Sequence, residues 1–298
     1  MARSFPPDVI VLDAESLLHA RFARGKAAPR LVQAKSYRLP AGTFVPAPVT
    51  PALANEGALA EAVRRLRVES GNWQRLSLLL PDSWFRMNII DLPSFNAKQR
   101  DAGDLVRWSL KRTLPLPPEK VRVAWEVIEQ DGSAVKVLAV SAVDTALAAI
   151  ERLFASAGFE VILIEPLGLN LWNAVAVREG NTEKDRLFVY VRDDEFTTAV
   201  FRGPRPLFIR SRNLSGERTL EQEIRLSANY LRDTLRAGAL ETCYLAGNRV
   251  DGNVSSILTG EFGANVRAIA LTDFIERAAI EIPPAQAELV ACTGVFTA

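Results

Sequence analysis

Cysteine and histidine are scarce in this sequence, and their scarcity excludes several kinds of site. The 298 residues include two cysteines, Cys243 and Cys292, and one histidine, His19. Three such residues are too few for a disulfide framework or a four-ligand zinc site. The histidine has no flanking motif, so neither a Ser-His-Asp nor a Cys-His catalytic arrangement is expected. We therefore expect no metal site, and we expect both thiols to stay reduced.

Neither an excess of one charge nor a long apolar run is present. Lysine and arginine total 36, and aspartate and glutamate total 35, which gives a net charge of +1. This balance argues against a basic face that binds nucleic acid. The apolar runs are far shorter than the roughly 20 residues of a membrane span, and no signal peptide opens the chain. With 48% hydrophobic residues, the composition predicts a soluble, cytoplasmic protein with a sizeable core.

What the sequence does contain is a repeated β-meander. Residues 9–42 and 187–216 each predict an apolar strand, a turn, a second strand that ends in Arg-Gly, and a third, alternating strand. The glycines, Gly25 and Gly203, supply turn conformations that other residues resist. Two meanders of one pattern predict a duplicated α/β core with mixed sheets. Gly-rich phosphate loops of the Walker or dinucleotide type are absent from the sequence.

Helix and strand patterns follow each meander. The clearest helix covers residues 219–237, where Leu220, Ile224 and Leu231 recur at helical spacing and Gly238 is placed for a C-cap. The proline-rich residues 40–51 predict a loop. The other predicted helices cover residues 57–69, 96–112, 144–158, 167–178 and 254–262, and the other predicted strands cover 75–80, 84–92, 121–128, 134–142, 160–165, 242–246 and 266–271.

This order of elements predicts two halves and one insertion. Residues 1–82, completed by residues 159–184, form the first half, and residues 185–298 form the second half. Residues 83–158 contain a predicted hairpin and two helices, so we expect them to form a small inserted α+β subdomain.

A series of short segments carries a resemblance to a known family. The segments are Leu92-Pro93-Ser94, Val106-Arg107-Trp108, Leu114-Pro115-Leu116-Pro117, Ile164-Glu165-Pro166-Leu167, and Tyr230 with Tyr244-Leu245-Ala246-Gly247. Their order resembles that of PilM, the actin-like protein of type IV pilus machines. The related GspL-type cytoplasmic domain of type II secretion shares the fold. The resemblance implies duplicated actin-like (RNase H-like) domains with mixed sheets and a small inserted α+β subdomain.

The positions that match the family's nucleotide-binding turns are altered. Glu15 stands where the first phosphate turn has glycine, and a carboxylate there would repel phosphate. In the second turn Tyr190 replaces the family's aspartate and Arg192 its glycine. Residues 215–217 run almost directly into the predicted helix at Thr219, so the subdomain that covers adenine is missing. The degenerate positions are Asp13, Glu15, Ser16, Tyr190, Arg192, Gly247 and Asn248.

We expect these changes to abolish nucleotide binding, which leaves the protein without a cofactor. The alternative is an ATP-binding, actin-like switch that uses magnesium in a rebuilt site with Asp13, Arg192 and Gly247. A kinase of the same superfold would need a catalytic carboxylate between intact phosphate turns, and the sequence shows none. Five carboxylates have two interpretations, as acid/base or metal-binding groups or as solvated turn charges, and we favour the turn charges; they are Asp13, Glu15, Asp193, Asp194 and Glu195. We interpret His19 as a surface or half-buried strand residue instead of a catalyst.

The resemblance implies a non-catalytic scaffold at the cytoplasmic face of the inner membrane. The implied partner is the short cytoplasmic N-terminal peptide of a PilN-like membrane protein, held between the core and the inserted subdomain. Other platform or motor-ATPase subunits are further partners, a homodimer is an option, and the membrane is reached only through partners. Aromatic and arginine side chains favour binding hot spots. The candidate partner-binding residues are Trp84, Arg86, Arg107, Trp108, Leu116 and Pro117.

Two further surfaces have alternative interpretations. The arginines of the predicted helix 219–237 and its approach form either a solvated face or a docking surface for an acidic partner or lipid head groups. These are Arg218, Arg225, Arg232 and Arg236. The predicted hairpin of residues 121–142 offers a strand edge that a partner strand could extend.

Overall fold

The computed structural model describes residues 5–26, 28–45, 52–93, 95–114, 116–180, 183–214, 218–235, 240–276 and 280–297. Several features of the sequence-based predictions lie outside these residues. They are Ser94, Pro115, residues 46–51 of the predicted loop, residues 215–217, Arg236 and the predicted C-cap Gly238.

The described residues form fifteen strands and seven α-helices. The strands are β1 Asp8–Leu12, β2 Ser16–Ala23, β3 Arg30–Arg38, β4 Phe44–Val45, β5 Ala52–Leu53, β6 Arg75–Leu80, β7 Phe85–Leu92, β8 Val121–Asp131, β9 Ala134–Val143, β10 Glu160–Pro166, β11 Asp185–Val191, β12 Glu195–Arg202, β13 Arg205–Asn213, β14 Thr242–Gly247 and β15 Asn265–Ala268. The helices are α1 Glu56–Glu69, α2 Ala102–Ser109, α3 Asp144–Ser156, α4 Leu167–Glu179, α5 Leu220–Tyr230, α6 Gly252–Phe262 and α7 Gln286–Gly294.

The chain divides into two compact units. Unit 1 contains residues 1–82, 145–180 and 269–298, and unit 2 contains residues 83–144 and 181–268. This grouping differs from the sequence-based division at three main places. Residues 145–158, which contain most of α3 and were assigned to the insertion, join unit 1. Residues 269–298 join unit 1, because α7 packs on α4 and β1. Residues 83–144 join unit 2, where β7 lies against β13 and Arg205 pairs with Glu129 at 2.8 Å.

Unit 1 is built on a five-stranded mixed sheet in the order β10-β6-β1-β2-β3. The meander supplies the antiparallel strands β1, β2 and β3, and β6 and β10 add to the other side in parallel. All five residues of β1 are buried, as expected for a central strand whose two faces are both covered. The helices α1 and α4 bury apolar stripes in the same unit.

Unit 2 repeats this sheet with the order β13-β12-β11-β14-β15. Again three antiparallel strands come from the meander, and two parallel strands follow on the other side. Its core joins Val189 and Phe196 of the sheet to Ile224 of α5 and Leu258 of α6. The two sheets share one topology, which confirms the predicted α/β fold of duplicated halves with mixed sheets.

A separate three-stranded antiparallel sheet, β7-β9-β8, lies within unit 2. Helix α2 covers one of its faces, where Val106 and Leu110 pack with Val137 and Ala139 of β9. The β8–β9 hairpin turns at Gly132, whose φ is +57°, a left-handed conformation that favours glycine. We call residues 83–143, which contain this sheet and α2, the small subdomain.

Several sequence-based details are corrected by the structure. Helix α2 begins at Ala102 instead of residue 96, because Asn96 accepts a hydrogen bond from the Lys98 backbone and holds a turn there. The strand predicted over residues 266–271 ends at Ala268, and a 3-10 turn follows. Within the described ranges, no helix is long and apolar enough to cross a membrane.

Candidate functional site

The first predicted phosphate turn, between β1 and β2, is closed by its own aspartate. The Asp13 Oδ1 atom accepts hydrogen bonds from the backbone N–H groups of Glu15 at 2.8 Å and Ser16 at 2.7 Å. The Ser16 hydroxyl donates to Asp13 Oδ2 at 3.1 Å. A phosphate-binding turn needs free N–H groups that point toward the ligand. Here two of these donors already serve a carboxylate of the protein.

The second predicted turn, between β11 and β12, contains Arg192 and follows the buried Tyr190. The backbone N–H of Arg192 donates to the Glu195 carbonyl at 2.8 Å and closes the turn. Its guanidinium lies 3.5 Å from the Tyr190 hydroxyl. Tyr190 is 1% exposed, so its ring is a core residue. Neither side chain offers the carboxylate that a metal-bound phosphate requires.

Gly247 is the last residue of β14, and Asn248 follows it. Both have structural roles in unit 2. Gly247 has a φ of +120°, and a Cβ built there would lie 1.8 Å from the Val191 carbonyl oxygen. Only glycine allows this close approach of β14 to β11. The Asn248 backbone N–H donates to the same Val191 carbonyl at 3.1 Å, and its side-chain amide donates to Asp193 at 3.0 Å.

A cavity of about 360 Å³ lies in unit 2 where α5 and α6 begin. Its lining carries both signs of charge, from Asp193, Glu221, Arg218 and Arg249. The helix N-termini are already capped, by the Thr219 hydroxyl in α5 and the Asp251 carboxylate in α6. The cavity is therefore a polar depression of mixed charge.

The six candidate partner-binding residues do not share one environment. Trp84 is 1% exposed and therefore belongs to the core, whereas Trp108 on α2 is 57% exposed. The ammonium group of Lys111 lies 5.5 Å from the centre of the Trp108 ring, a favourable cation–π geometry. Leu116 is half-buried and Pro117 is exposed in the connection from α2 to β8.

The remaining two candidates, Arg86 and Arg107, each carry a buried Nε atom without a hydrogen-bond partner. Arg86 lies half-buried on β7, and burial together with the charge of Arg212 lowers the pKa of its guanidinium. Arg107 on α2 forms an ion pair with Asp104 at 3.2 Å through Nη1. Arg86 and Arg107, like Trp108, belong to the small subdomain.

A second cavity, of about 390 Å³, lies at the hairpin end of the same sheet. Its walls combine the apolar Leu92, Pro93 and Val135 with Asp91 and Asp131. Within the described parts of the chain, no group of three or more histidine, cysteine, aspartate or glutamate side chains could hold a metal ion.

Two polar residues that sequence reasoning placed at least partly at the surface are buried. His19 is 1% exposed; its Nε2 lies 2.9 Å from an Asp8 oxygen, and its ring stacks on Trp73. Glu195 is also 1% exposed and accepts a hydrogen bond from the Ser83 backbone at 2.6 Å. The interpretation of Glu195 as a solvated turn charge is therefore wrong. Alternation alone could not identify either residue, because their partners come from other segments of the chain.

Most of the described arginines near α5 have partners. Arg225 pairs with Glu261 at 3.0 Å, and Arg232 donates to the Glu261 carbonyl. Arg218 lies 3.5 Å from Glu223. This pattern of pairing favours an ordinary solvated face.

Sequence comparisons give no family: no protein-family model and no curated protein matches the chain. The comparison with solved structures identifies the fold class: the chain has the actin-like ATPase fold. It is similar to the structure of a PilM-PilN type IV pilus biogenesis complex, with a TM-score of 0.77 and 19% identity, over 96% of this chain and 97% of that one.

Two further structures share the fold. A Bacteroides thetaiotaomicron protein of actin-like ATPase fold and unknown function has a TM-score of 0.57 and 10% identity, over 98% of this chain and 95% of that one. The cytoplasmic domain of EpsL, an inner-membrane component of the Vibrio cholerae type II secretion system, has a TM-score of 0.54 and 11% identity, over 97% and 94%. The resemblance stated from the sequence is thereby confirmed at the level of fold.

Proposed function

We propose that this protein is a scaffold of a type IV pilus or type II secretion assembly platform. The observation that carries the proposal is the match to the PilM-PilN complex over nearly the whole length of both chains. The further match to the EpsL cytoplasmic domain supports the same class of machine. In this role the chain works in the cytoplasm, reaches the inner membrane through its partners, and contacts other platform or motor-ATPase subunits.

We also propose that nucleotide binding has been lost. The Asp13 carboxylate accepts the N–H groups of Glu15 and Ser16, so a phosphate would have to displace a negative charge from its own donors. The second turn places Arg192 beside the buried Tyr190, and neither of these two side chains supplies a carboxylate for magnesium. Strand β13 ends at Asn213 and α5 begins at Leu220, which leaves six residues for an adenine-covering subdomain.

Thermal unfolding with and without magnesium-ATP tests this loss. A ligand at 100 times its Kd stabilises the folded state by about 2.7 kcal/mol, so binding would raise the Tm clearly. We expect no shift at millimolar nucleotide for the wild-type chain. A shift that disappears in the Arg192→Ala variant would instead support the ATP-binding switch with magnesium.

The proposed partner is the N-terminal cytoplasmic peptide of a PilN-like membrane protein, docked on the small subdomain. Trp108 is the largest exposed apolar side chain there, and tryptophan is enriched among binding hot spots. Leu116 and Pro117 lie in the connection that follows α2. A short peptide that orders on binding needs such anchors to offset its lost entropy.

Titration calorimetry with the N-terminal 20-residue peptide of a PilN-like membrane protein tests the partner. We expect micromolar binding that weakens about tenfold or more in Trp108→Ala. Val68→Ala is the matched control, since Val68 is an exposed apolar residue of unit 1. Absence of binding at high micromolar peptide, with the wild-type chain folded, would contradict the proposed partner.

A further inference from the structure

One face of the small subdomain's sheet carries polar donors beyond its apolar part. In β7 the residues Ile90, Asn88 and Arg86 point to the same face, because side chains alternate along a strand. Ile90 packs in the apolar cluster under α2. The face continues past this cluster to Asn88, opposite Ala139, and to Arg86, opposite Ser141.

These two polar residues have buried N–H groups that lack acceptors. The Nε atom of Arg86 and the Nδ2 atom of Asn88 are buried and donate to no described atom. The Nε atom of Arg107, on the helix that covers this face, is also buried and has no described acceptor. Buried donors are almost always satisfied in folded proteins, so several in one small subdomain are unusual. Together they form a set of donors that needs acceptor atoms.

The same place also has uncompensated positive charge. Arg86 has no carboxylate within ion-pair distance among the described residues, and neither has Arg212 of β13, which donates through Nη1 to the Ser211 carbonyl. Strand β13, which carries Arg212, lies against β7, and burial together with the charge of Arg212 lowers the pKa of Arg86. By contrast, the neighbouring Arg210 is matched by the buried Glu223. The pair Arg86 and Arg212 therefore favours an anion.

The chemistry of this donor set points to a carboxylate. A guanidinium and a carboxamide both match carboxylate oxygens, and charge-assisted bonds of this kind are the strong ones. Arg86 is half-buried, so a thin side chain can reach it, whereas a flat bilayer surface is a poor fit. Because the Arg86 Nε atom makes no hydrogen bond, the guanidinium can turn toward a ligand without breaking a hydrogen bond at that atom.

We propose that Arg86, Asn88 and Arg212 form a carboxylate-binding subsite that holds an aspartate or glutamate side chain of a bound peptide. This proposal deepens the proposed function and rests on it for the source of the peptide. It assigns the partner segment an acidic residue that anchors it on the small subdomain.

Two short probes test the subsite directly. Acetyl-tetraglutamate amide and acetyl-tetraglutamine amide are titrated into the full chain, and binding is followed by chemical-shift changes at 50 mM and 300 mM salt. We expect the glutamate probe to bind and the glutamine probe not to bind. The Arg86→Gln and Arg212→Gln variants should each weaken the glutamate probe about tenfold, and binding should fall at the higher salt.

The matched control is Arg225→Gln, which removes an exposed arginine of the same unit that already pairs with Glu261. It should leave the affinity unchanged. Arg86→Gln should also leave the Tm unchanged or raised, because it removes a desolvated charge without a partner. A destabilised Arg86→Gln variant with wild-type affinity would show a purely structural arginine and overturn the subsite.

Other outcomes are equally decisive. No binding of tetraglutamate at 10 mM, or equal affinity in all three variants, overturns the subsite. Arg86-dependent binding to vesicles that contain phosphatidylglycerol, without binding of the glutamate probe, also overturns it in favour of a membrane surface. If tetraglutamate binds through Arg86 but the PilN-like N-terminal peptide does not bind, the subsite stands and the proposed partner fails.

Discussion

Gly247 shows how a residue that resembles part of a nucleotide motif is explained by packing. Its φ of +120° and the 1.8 Å separation between a built Cβ and the Val191 carbonyl leave no room for a side chain. The backbone N–H of the next residue, Asn248, donates a hydrogen bond to the same carbonyl. The resemblance at these positions is therefore accounted for by the β11–β14 junction, whether or not a ligand binds.

We expect Gly247→Ala to destabilise the protein by about 2 kcal/mol or more, through backbone strain and overlap with Val191. Denaturant unfolding at equilibrium measures the effect. Gly252→Ala is the matched control, because a Cβ at Gly252 meets no atom within 4 Å, and it should be neutral or stabilising by up to about 1 kcal/mol. Equal effects of the two substitutions would contradict the packing explanation.

The two cysteines are expected to be unreactive in the folded protein. Both are 0% exposed, and burial raises the pKa of the Cys243 thiol to about 12 and that of Cys292 further still. Since the thiolate is the reactive form, Ellman's reagent at pH 8 should label neither residue without denaturant and both in guanidinium chloride. Rapid labelling of the native chain would show that these sites open readily.

Some residues were misplaced from the sequence for a common reason. His19 was assigned to a surface or half-buried position and Glu195 to a solvated turn. Both are buried, and they bond to Asp8 of the adjacent strand and to the Ser83 backbone of a distant segment. The local sequence pattern predicts the face of a strand on which a side chain lies. It does not predict which polar group from elsewhere in the chain will be its hydrogen-bond partner. For the same reason, Asn88 and Arg212 were not among the candidate binding residues. Their significance depends on the lack of an acceptor for the Asn88 amide and of a carboxylate near Arg212 among the described residues, which the sequence does not show.

At the scale of elements, the N-terminus of α4 is held by a buried aspartate. The Asp82 carboxylate accepts a hydrogen bond from the Gly168 backbone at 2.8 Å. A Cβ at Gly168 would lie 2.1 Å from an Asp82 oxygen, so the pair requires glycine in the first turn of the helix. A carboxylate here also complements the helix dipole.

Asp82→Ala should lower the free energy of unfolding by about 1–3 kcal/mol, because it leaves a buried N–H without an acceptor. Asp144→Ala is a suitable comparison, since Asp144 also opens a helix but is half-exposed and pairs with Arg122 at 2.9 Å. That variant should cost under about 1 kcal/mol. Urea denaturation of both variants checks the difference, and a larger effect at Asp144 would refute the argument.

The order and kind of the elements could be predicted from the sequence better than their ends. The meanders were predictable because β1 and β11 are continuous apolar runs followed by alternating strands. Helix α2 was predicted six residues too early, since Asn96 and its side-chain bond to Lys98 divert the chain into a turn. Helix α5 ends in one π-helical turn at Leu231–Leu235, a detail that apolar spacing does not encode.

At the scale of the whole molecule, the final segment of the chain completes the first unit. Helix α7 has seven buried residues and packs on α4 and β1. A Cβ at Gly294 would lie 1.9 Å from the Asn170 carbonyl, so the contact is close. Sequence order suggested the opposite assignment, because residues 269–298 follow the second sheet directly.

Deleting residues 269–298 should therefore loosen unit 1 and leave unit 2 folded. Hydrogen exchange followed by mass spectrometry should show lost protection in β1 and α4, while β11 and β14 stay protected. The physical reason is the loss of the buried apolar surface of Leu289, Val290 and Cys292. Loss of protection in β14 first would show that the segment supports the second sheet.

The position of α7 has a consequence during synthesis. Strand β1, at residues 8–12, is synthesised long before the helix that packs against it, at residues 286–294. At roughly 5–20 residues per second, the nascent strand waits on the order of fifteen to sixty seconds with apolar surface uncovered. Unit 2 ends at residue 268, so its sheet can be completed while unit 1 still lacks α7.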